Sequence, residues 1–216
     1  MAGKEREDPS DTRERLILTA ERLFATQGIE AVSLREIARA GGQKNVAAMQ
    51  YHFGDRQGLF SAILEYRMSR IETKRQALLN ACDERGDGHT LRPLIACLVL
   101  PFVEHVRSEG ERSHYIEFLA RLQVSHPEFV AQENAGKPWQ SNVLEISRRL
   151  QALTDTSSTQ SIFERQRMMG ACLIHSVAEF ERGLRDGQYN VGELAAFTDN
   201  LINALCGIIA APHPRQ

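Results

Sequence analysis

The chain has 216 residues, of which 42% are apolar and 25% charged. That is the composition of a folded, water-soluble protein long enough to bury a core without cross-links. The formal net charge of −2 excludes a uniformly basic, nucleic-acid-coating surface, and residues 1–56 carry nine Lys/Arg against nine Asp/Glu, so any grip on a polyanion must come from how the charges are placed.

Along the chain no segment alternates apolar and polar residues over a useful length, whereas spacings near 3.6 recur throughout, which predicts an all-α fold. The start, MAGKEREDPSDTRER, has no apolar core and is not a secretory signal; residues 1–11 are expected to be disordered. A first helix runs from about Thr12 to Thr26 with Leu16, Ile17, Ala20, Leu23 and Phe24 on one face, and Gly28 supplies its left-handed exit. Ser33 with Glu36 three residues on has the form of a capping box and opens a second helix, Leu34 to about Arg39, that turns Leu34, Ile37 and Ala38 inward. Gly41 and Gly42 stop it. A third short helix, about Asn45 to His52, shares a buried face of Val46, Met49 and Phe53 and shows Lys44, Ala47, Ala48, Gln50 and Tyr51 opposite. Gly54 breaks the chain, and Asp55 caps a long helix whose inner stripe (Leu59, Phe60, Ile63, Leu64, Arg67, Met68, Ile71) continues to about Asn80. Further helices are expected near 90–107, 112–124, 138–153, 159–185 and 191–210, with SHPEFVAQENAGKPWQ as an irregular connection holding one short helical turn. The run LRPLIACLVLPFVEHV is too short to span a bilayer and is interrupted by Pro93 and Pro101, so it reads as a core helix and no membrane is expected as a partner.

Two short helices joined by a tight glycine turn, the second polar on one face, make the helix-turn-helix plan. Ala47 and Ala48 keep the outer face of the third helix narrow, so that its backbone can approach base edges in a major groove about 12 Å wide. The Gln50 amide can pair with adenine at two atoms, while Tyr51 and His52 carry polar tips on rigid rings suited to phosphate oxygens. Arg56 adds a cation beside the free N–H groups of the next helix start, and Ser33 and Arg35 stand where the second helix would cross the sugar-phosphate backbone. With Lys44 and Asn45 at the start of the third helix, the expected DNA contacts are Ser33, Arg35, Lys44, Asn45, Ala47, Gln50, Tyr51, His52 and Arg56.

The pieces TRERLILTAERLFATQGIEAVSLREIA and YHFGDRQGLF carry a resemblance: residues 12–60 are similar to the N-terminal domain of TetR-type transcriptional regulators. Where members commonly read Ala-Gly-Val-Ser and then a Lys-Gly-Thr-type helix start, this chain has AGGQKNVAAMQ, one residue longer between Ile37 and Phe53, which the turn or the helix start must absorb. The resemblance implies a helix-turn-helix domain over residues 1–56, followed over 57–216 by a larger helical domain for effector binding and dimerisation. It further implies a homodimer that reads successive major grooves of a near-palindromic operator on double-stranded DNA, and repression relieved by a small-molecule effector. The dimer interface is then expected on the last two helices, at Phe163, Met169, Leu173, Val177, Phe197, Leu201 and Leu205. Phe102, His105, Phe118, Trp139, Met168 and His175 are the candidates to line an effector pocket, with Pro101 freeing the carbonyl near Cys97 and opening space between helices. Such a protein works in the cytoplasm, at the nucleoid.

Other chemistries find little support. His89, His105, His114, His126 and His175 show no i, i+3 or i, i+4 pair, so no metal site is expected. Gly-rich phosphate loops, His-Glu-x-x-His and Gly-x-Ser-x-Gly are missing, so neither an enzyme nor a cofactor is expected. Cys82, Cys97, Cys172 and Cys206 form no CxxC pair and read as buried, reduced thiols. Two other readings stay open: a DNA-binding protein of the same fold governed by a protein partner, architectural or division-linked, and a helical small-molecule carrier with a vestigial helix-turn-helix.

Overall fold

The computed structural model describes residues 9–153 and 159–212, and the chain divides into two compact units, residues 1–67 and 68–216. Among the described residues all regular structure is helical. The expected disorder of residues 1–8 lies outside the described residues; Pro9–Asp11, expected to share it, are helical and open the first helix.

The first unit holds α1 (Pro9–Gln27), α2 (Leu34–Ala40), α3 (Ala47–Phe53) and the first turns of α4 (Arg56–Arg85). Leu16, Ile17, Ala20 and Phe24 of α1, Ile37 of α2, Met49 of α3 and Leu59, Phe60 and Ile63 of α4 form one core. Each large apolar side chain so buried contributes about 1.5–3 kcal/mol. The Phe24 and Phe60 rings meet edge to face with centroids 5.3 Å apart. This packing carries the unit to Arg67, eleven residues past the boundary expected at Arg56. Arg67 closes it with two hydrogen bonds to the Glu21 carboxylate, Nε to Oε2 at 2.7 Å and Nη2 to Oε1 at 2.8 Å, both side chains almost fully buried.

The turn between α2 and α3 follows from its two glycines. Gly42 takes a φ of +78°, and Gly42 N and Gln43 N donate back to the carbonyls of Arg39 (3.1 Å) and Ala38 (2.8 Å), a Schellman ending. Gly41 is there for space: a Cβ would sit 2.6 Å from Leu16 Cδ2. Arg15 Nε donates to its carbonyl at 3.0 Å, tying the turn to α1. Helix α3 starts at Ala47, two residues later than expected. Residues 43–46 form the turn, and Asn45 Oδ1 accepts from the N of Ala47, the first residue of the helix, at 3.0 Å.

The second unit runs from the remainder of α4 through α5 (Leu91–Glu109), α6 (Tyr115–Ser125), α7 (Pro127–Asn134), α8 (Ser141–Leu153), α9 (Thr159–Arg185) and α10 (Leu194–Ala210). Helix α9 packs on α6 and α10, and α10 on α5. Two helix starts are capped by carboxylates from distant helices. Glu181 of α9 accepts from the backbone N of Ile116 (3.2 Å) and Glu117 (2.7 Å) and from the Ser113 hydroxyl at the start of α6. Glu72 of α4 accepts from Asn142 N at 3.1 Å at the start of α8. Both place carboxyl oxygens against the free N–H groups of a helix start. The connection expected to be irregular contains the eight-residue α7, which Pro127 opens at a position where its missing N–H costs nothing. The segment Val191–Ala210 is long and apolar enough to cross a membrane by length and composition, but Leu194, Leu201, Ile202, Leu205 and Ile209 are buried on the α10 side that packs on α5 and α9.

Candidate nucleic-acid interface

Helix α3 buries Met49 and Phe53 and turns Ala47, Gln50 and Tyr51 outward; Tyr51 is 80% exposed. His52 is half-buried, its ring edge-on to Tyr51 at 4.9 Å. Burial first, then the positive charge of Arg13, lower the His52 pKa below its usual value.

Next to α3 lies a cleft of about 680 Å³ that brings together Ser33, Arg35, Lys44 and Asn45, four of the expected contacts. Ser33 faces it while its hydroxyl accepts from Glu36 N at 3.2 Å, the N-cap of α2. Arg39, Gln43 and Glu36 line the cleft as well, though none of them is among the expected contacts. Arg39 follows Arg35 by four positions, the i, i+4 spacing that places two side chains on one face of a helix. Arg35, Arg39 and Lys44 are exposed, and among the described residues none of them is in an ion pair. Three cations against the single carboxylate of Glu36 in the same cleft leave this side net positive, which the even charge count conceals.

Arg56 is not part of that surface. Its Nη1 donates to the carbonyl of Val32 at 2.7 Å and its Nη2 to that of Ile29, and its guanidinium lies over the rings of Phe24 and Phe60. The cation expected at a phosphate instead holds the loop between α1 and α2, because two inward carbonyls and two aromatic faces lie within its reach.

Phe102, His105, Phe118 and Trp139 are buried, whereas Met168 and His175 are exposed on α9. The second unit has a cleft of about 830 Å³ between α4, α5 and α10, lined by none of them; its floor includes Leu78, Leu100, Pro101, Val103, Leu194 and Ala195. Of the expected dimer contacts, Met169, Leu173, Val177, Leu201 and Leu205 lie in the chain's own core and Phe197 packs on Phe180 at 4.5 Å. Phe163 is 57% exposed. The apolar stripe legible in the sequence is the inward one. The outward residues include Met168, Ala171, His175 and Glu179 on α9 and Ala196, Asn200, Ala204 and Gly207 on α10.

A short capped helix, a glycine turn and a second helix with an exposed polar tip beside unpaired cations define a helix-turn-helix domain. Residues 16–63 match the family model described as bacterial regulatory proteins, tetR family. Over 71 residues the chain is 41% identical to the HTH-type transcriptional regulator AcrR of Shigella flexneri, a match that covers 33% of this chain and only 33% of that relative. Among solved structures, the fatty acid degradation regulator FadR from Bacillus halodurans aligns with a TM-score of 0.61 and 16% identity over 98% of this chain and 100% of its own. NalD, the secondary repressor of the MexAB-OprM multidrug efflux pump in Pseudomonas aeruginosa, aligns with a TM-score of 0.55 and 21% identity over 92% and 96%. The structural likenesses show the shared all-helical fold, and the domain match supports a TetR-type regulator over residues 16–63.

Proposed function

We propose that the protein is a cytoplasmic transcriptional repressor that binds a near-palindromic DNA operator as a homodimer and leaves it when a small molecule occupies the second unit. The observation that carries this reading is the face formed by Gln50 and Tyr51 on α3 with Arg35, Arg39 and Lys44 beside it. In the proposed complex α3 lies in the major groove, Gln50 reads a base edge, and Tyr51 and His52 fix the register on phosphates. The basic cluster follows the adjoining backbone.

Two copies meet through the outward sides of α9 and α10. Phe163 and the 61%-exposed Met168 supply apolar surface, and Ala196, Ala204 and Gly207 let helices approach closely. The cleft between α4, α5 and α10 is of small-molecule size, which favours a small effector over a protein partner. A tenfold release needs only about 1.4 kcal/mol of unequal effector affinity for the two states.

Selection of bound duplexes from a random pool tests this reading. The expected product is a pair of inverted half-sites about 34–36 Å apart, centre to centre. Recovery of no common sequence, or of single half-sites by a protein that stays monomeric, would overturn it.

A further inference from the structure

Beside the α4–α5 connection two cysteines face each other. Cys82, in the last turn of α4, and Cys97, in the second turn of α5, hold their sulfurs 3.6 Å apart. Both are buried, yet both line a cleft of about 250 Å³ whose walls include Leu78, Arg85, Arg92 and Leu100. Arg85 Nη2 reaches Cys82 Sγ at 3.3 Å.

We propose that Cys82 and Cys97 form an oxidisable thiol pair that closes to an intrachain disulfide when a small hydroperoxide enters this cleft. The two sulfurs have different surroundings, and the difference assigns their roles. Arg85, whose guanidinium touches the Cys82 sulfur, also lines the cleft, so a peroxide that enters meets Cys82 beside a hydrogen-bond donor, and Cys82 is the attacking thiol. Cys97 has no such hydrogen bond; burial, and then its hydrogen bond with Cys82, push its pKa up to about 12, so it keeps its proton until the second step. In the first step the Cys82 thiolate attacks one peroxide oxygen, the O–O bond breaks, and water or an alcohol leaves with a proton from solvent, giving a sulfenic acid. In the second, Cys97 sulfur attacks the Cys82 sulfur, the S–O bond breaks, and the hydroxyl leaves as water with the Cys97 proton. Two thiols lose two electrons in all and the peroxide gains them. The sulfurs must close from 3.6 Å to about 2.05 Å. The bridge would join positions fifteen apart and tie the end of α4 to α5 across residues 86–90. Cys172 and Cys206, half-buried on α9 and α10, are an internal control.

The test uses the full reduced protein, freed of reductant, treated with hydrogen peroxide and mapped as non-reduced peptides. The expected result is loss of two of the four thiols, a peptide linking Cys82 to Cys97, and recovery of both thiols with dithiothreitol. In Cys97→Ser, Cys82 is expected to stop at a sulfenic acid that dimedone traps; in Cys82→Ser, Cys97 is expected to stay reduced. Persistence of all four thiols, or oxidation confined to Cys172 and Cys206, would overturn the proposal. The wild-type map decides without any substitution, and because no DNA enters the assay its failure is separate from any failure of the operator reading.

Discussion

Arg56 Nη1 donates to the carbonyl of Val32 at 2.7 Å, which joins the first turn of α4 to the loop that precedes α2. With Ile29 as the second acceptor, one guanidinium fixes both ends of that loop. Arg56→Ala is expected to cost about 2–4 kcal/mol, the worth of two charge-assisted hydrogen bonds partly offset by water reaching the freed carbonyls. Arg56→Lys should recover little, since an ammonium lacks the fork. Chemical denaturation of the full chain checks this. Weaker DNA binding at unchanged stability would return Arg56 to the phosphate-contact role.

The pair of Glu21 and Arg67 makes a second stability prediction. Glu21→Gln removes one charge and leaves the other buried, at an expected cost of about 3–5 kcal/mol. The double variant Glu21→Leu with Arg67→Met removes both charges and should recover most of that loss. A double variant as unstable as Glu21→Gln would show that the ion pair itself, rather than the orphaned charge, sets the cost.

Gly58 permits a close crossing that no side chain could share. A Cβ there would lie 2.0 Å from the carbonyl oxygen of Phe53, while Gly58 N donates to Asp55 Oδ1 at 2.8 Å. Gly58→Ala must push the end of α3 away from α4, so it is expected to lower both the melting temperature and DNA affinity, with an overpacking cost of about 1–3 kcal/mol. An alanine variant with wild-type melting and binding would refute the account of this crossing.

On α3 two variants should separate positioning from reading. Tyr51→Ala is expected to weaken binding to all duplexes alike, whereas Gln50→Ala should relax preference at one base pair by about 1–3 kcal/mol. Binding to a library of single-base operator variants measures both. A Gln50→Ala profile parallel to wild type would remove it as the reader.

Glu181 gives the pH prediction. Burial pushes its carboxyl up to about 7 from the usual 4.5, against the opposing pull of its donors at Ser113, Glu117 and Ile116 and of Arg185. The folded state therefore holds this proton more tightly than the unfolded chain. Its contribution to stability is fully present below about 4.5 and is lost as pH rises through about 7. Melting temperatures across that window should fall more for wild type than for Glu181→Gln, which cannot ionise. Parallel curves for the two proteins would contradict it.

Much of this was legible in the sequence because local rules suffice for it. The spacing of Leu16, Ile17, Ala20 and Phe24 gives α1, Ser33 gives the start of α2, and Gly42 gives its end. The exposed tip of α3 follows from the burial of Met49 and Phe53 on the opposite side. What was not legible depends on partners far along the chain. Nothing near Arg56 names Ile29 and Val32 as its acceptors, and nothing near Ser113 or Asn142 names Glu181 and Glu72 as the caps. Apolar spacing gives α9 and α10 a stripe each, but periodicity does not say whether a stripe faces its own core or another copy.

The central claim is that duplex DNA is gripped by the face holding Arg35, Arg39 and Lys44 next to α3, and the salt dependence of binding tests it most directly. Each phosphate neutralised contributes about 0.9 to the slope of log affinity against log salt. Replacing all three with alanine is therefore expected to flatten the slope by about 2–3 while the fold is kept. A slope unchanged in the triple variant would contradict the account and place the DNA on another face of the molecule.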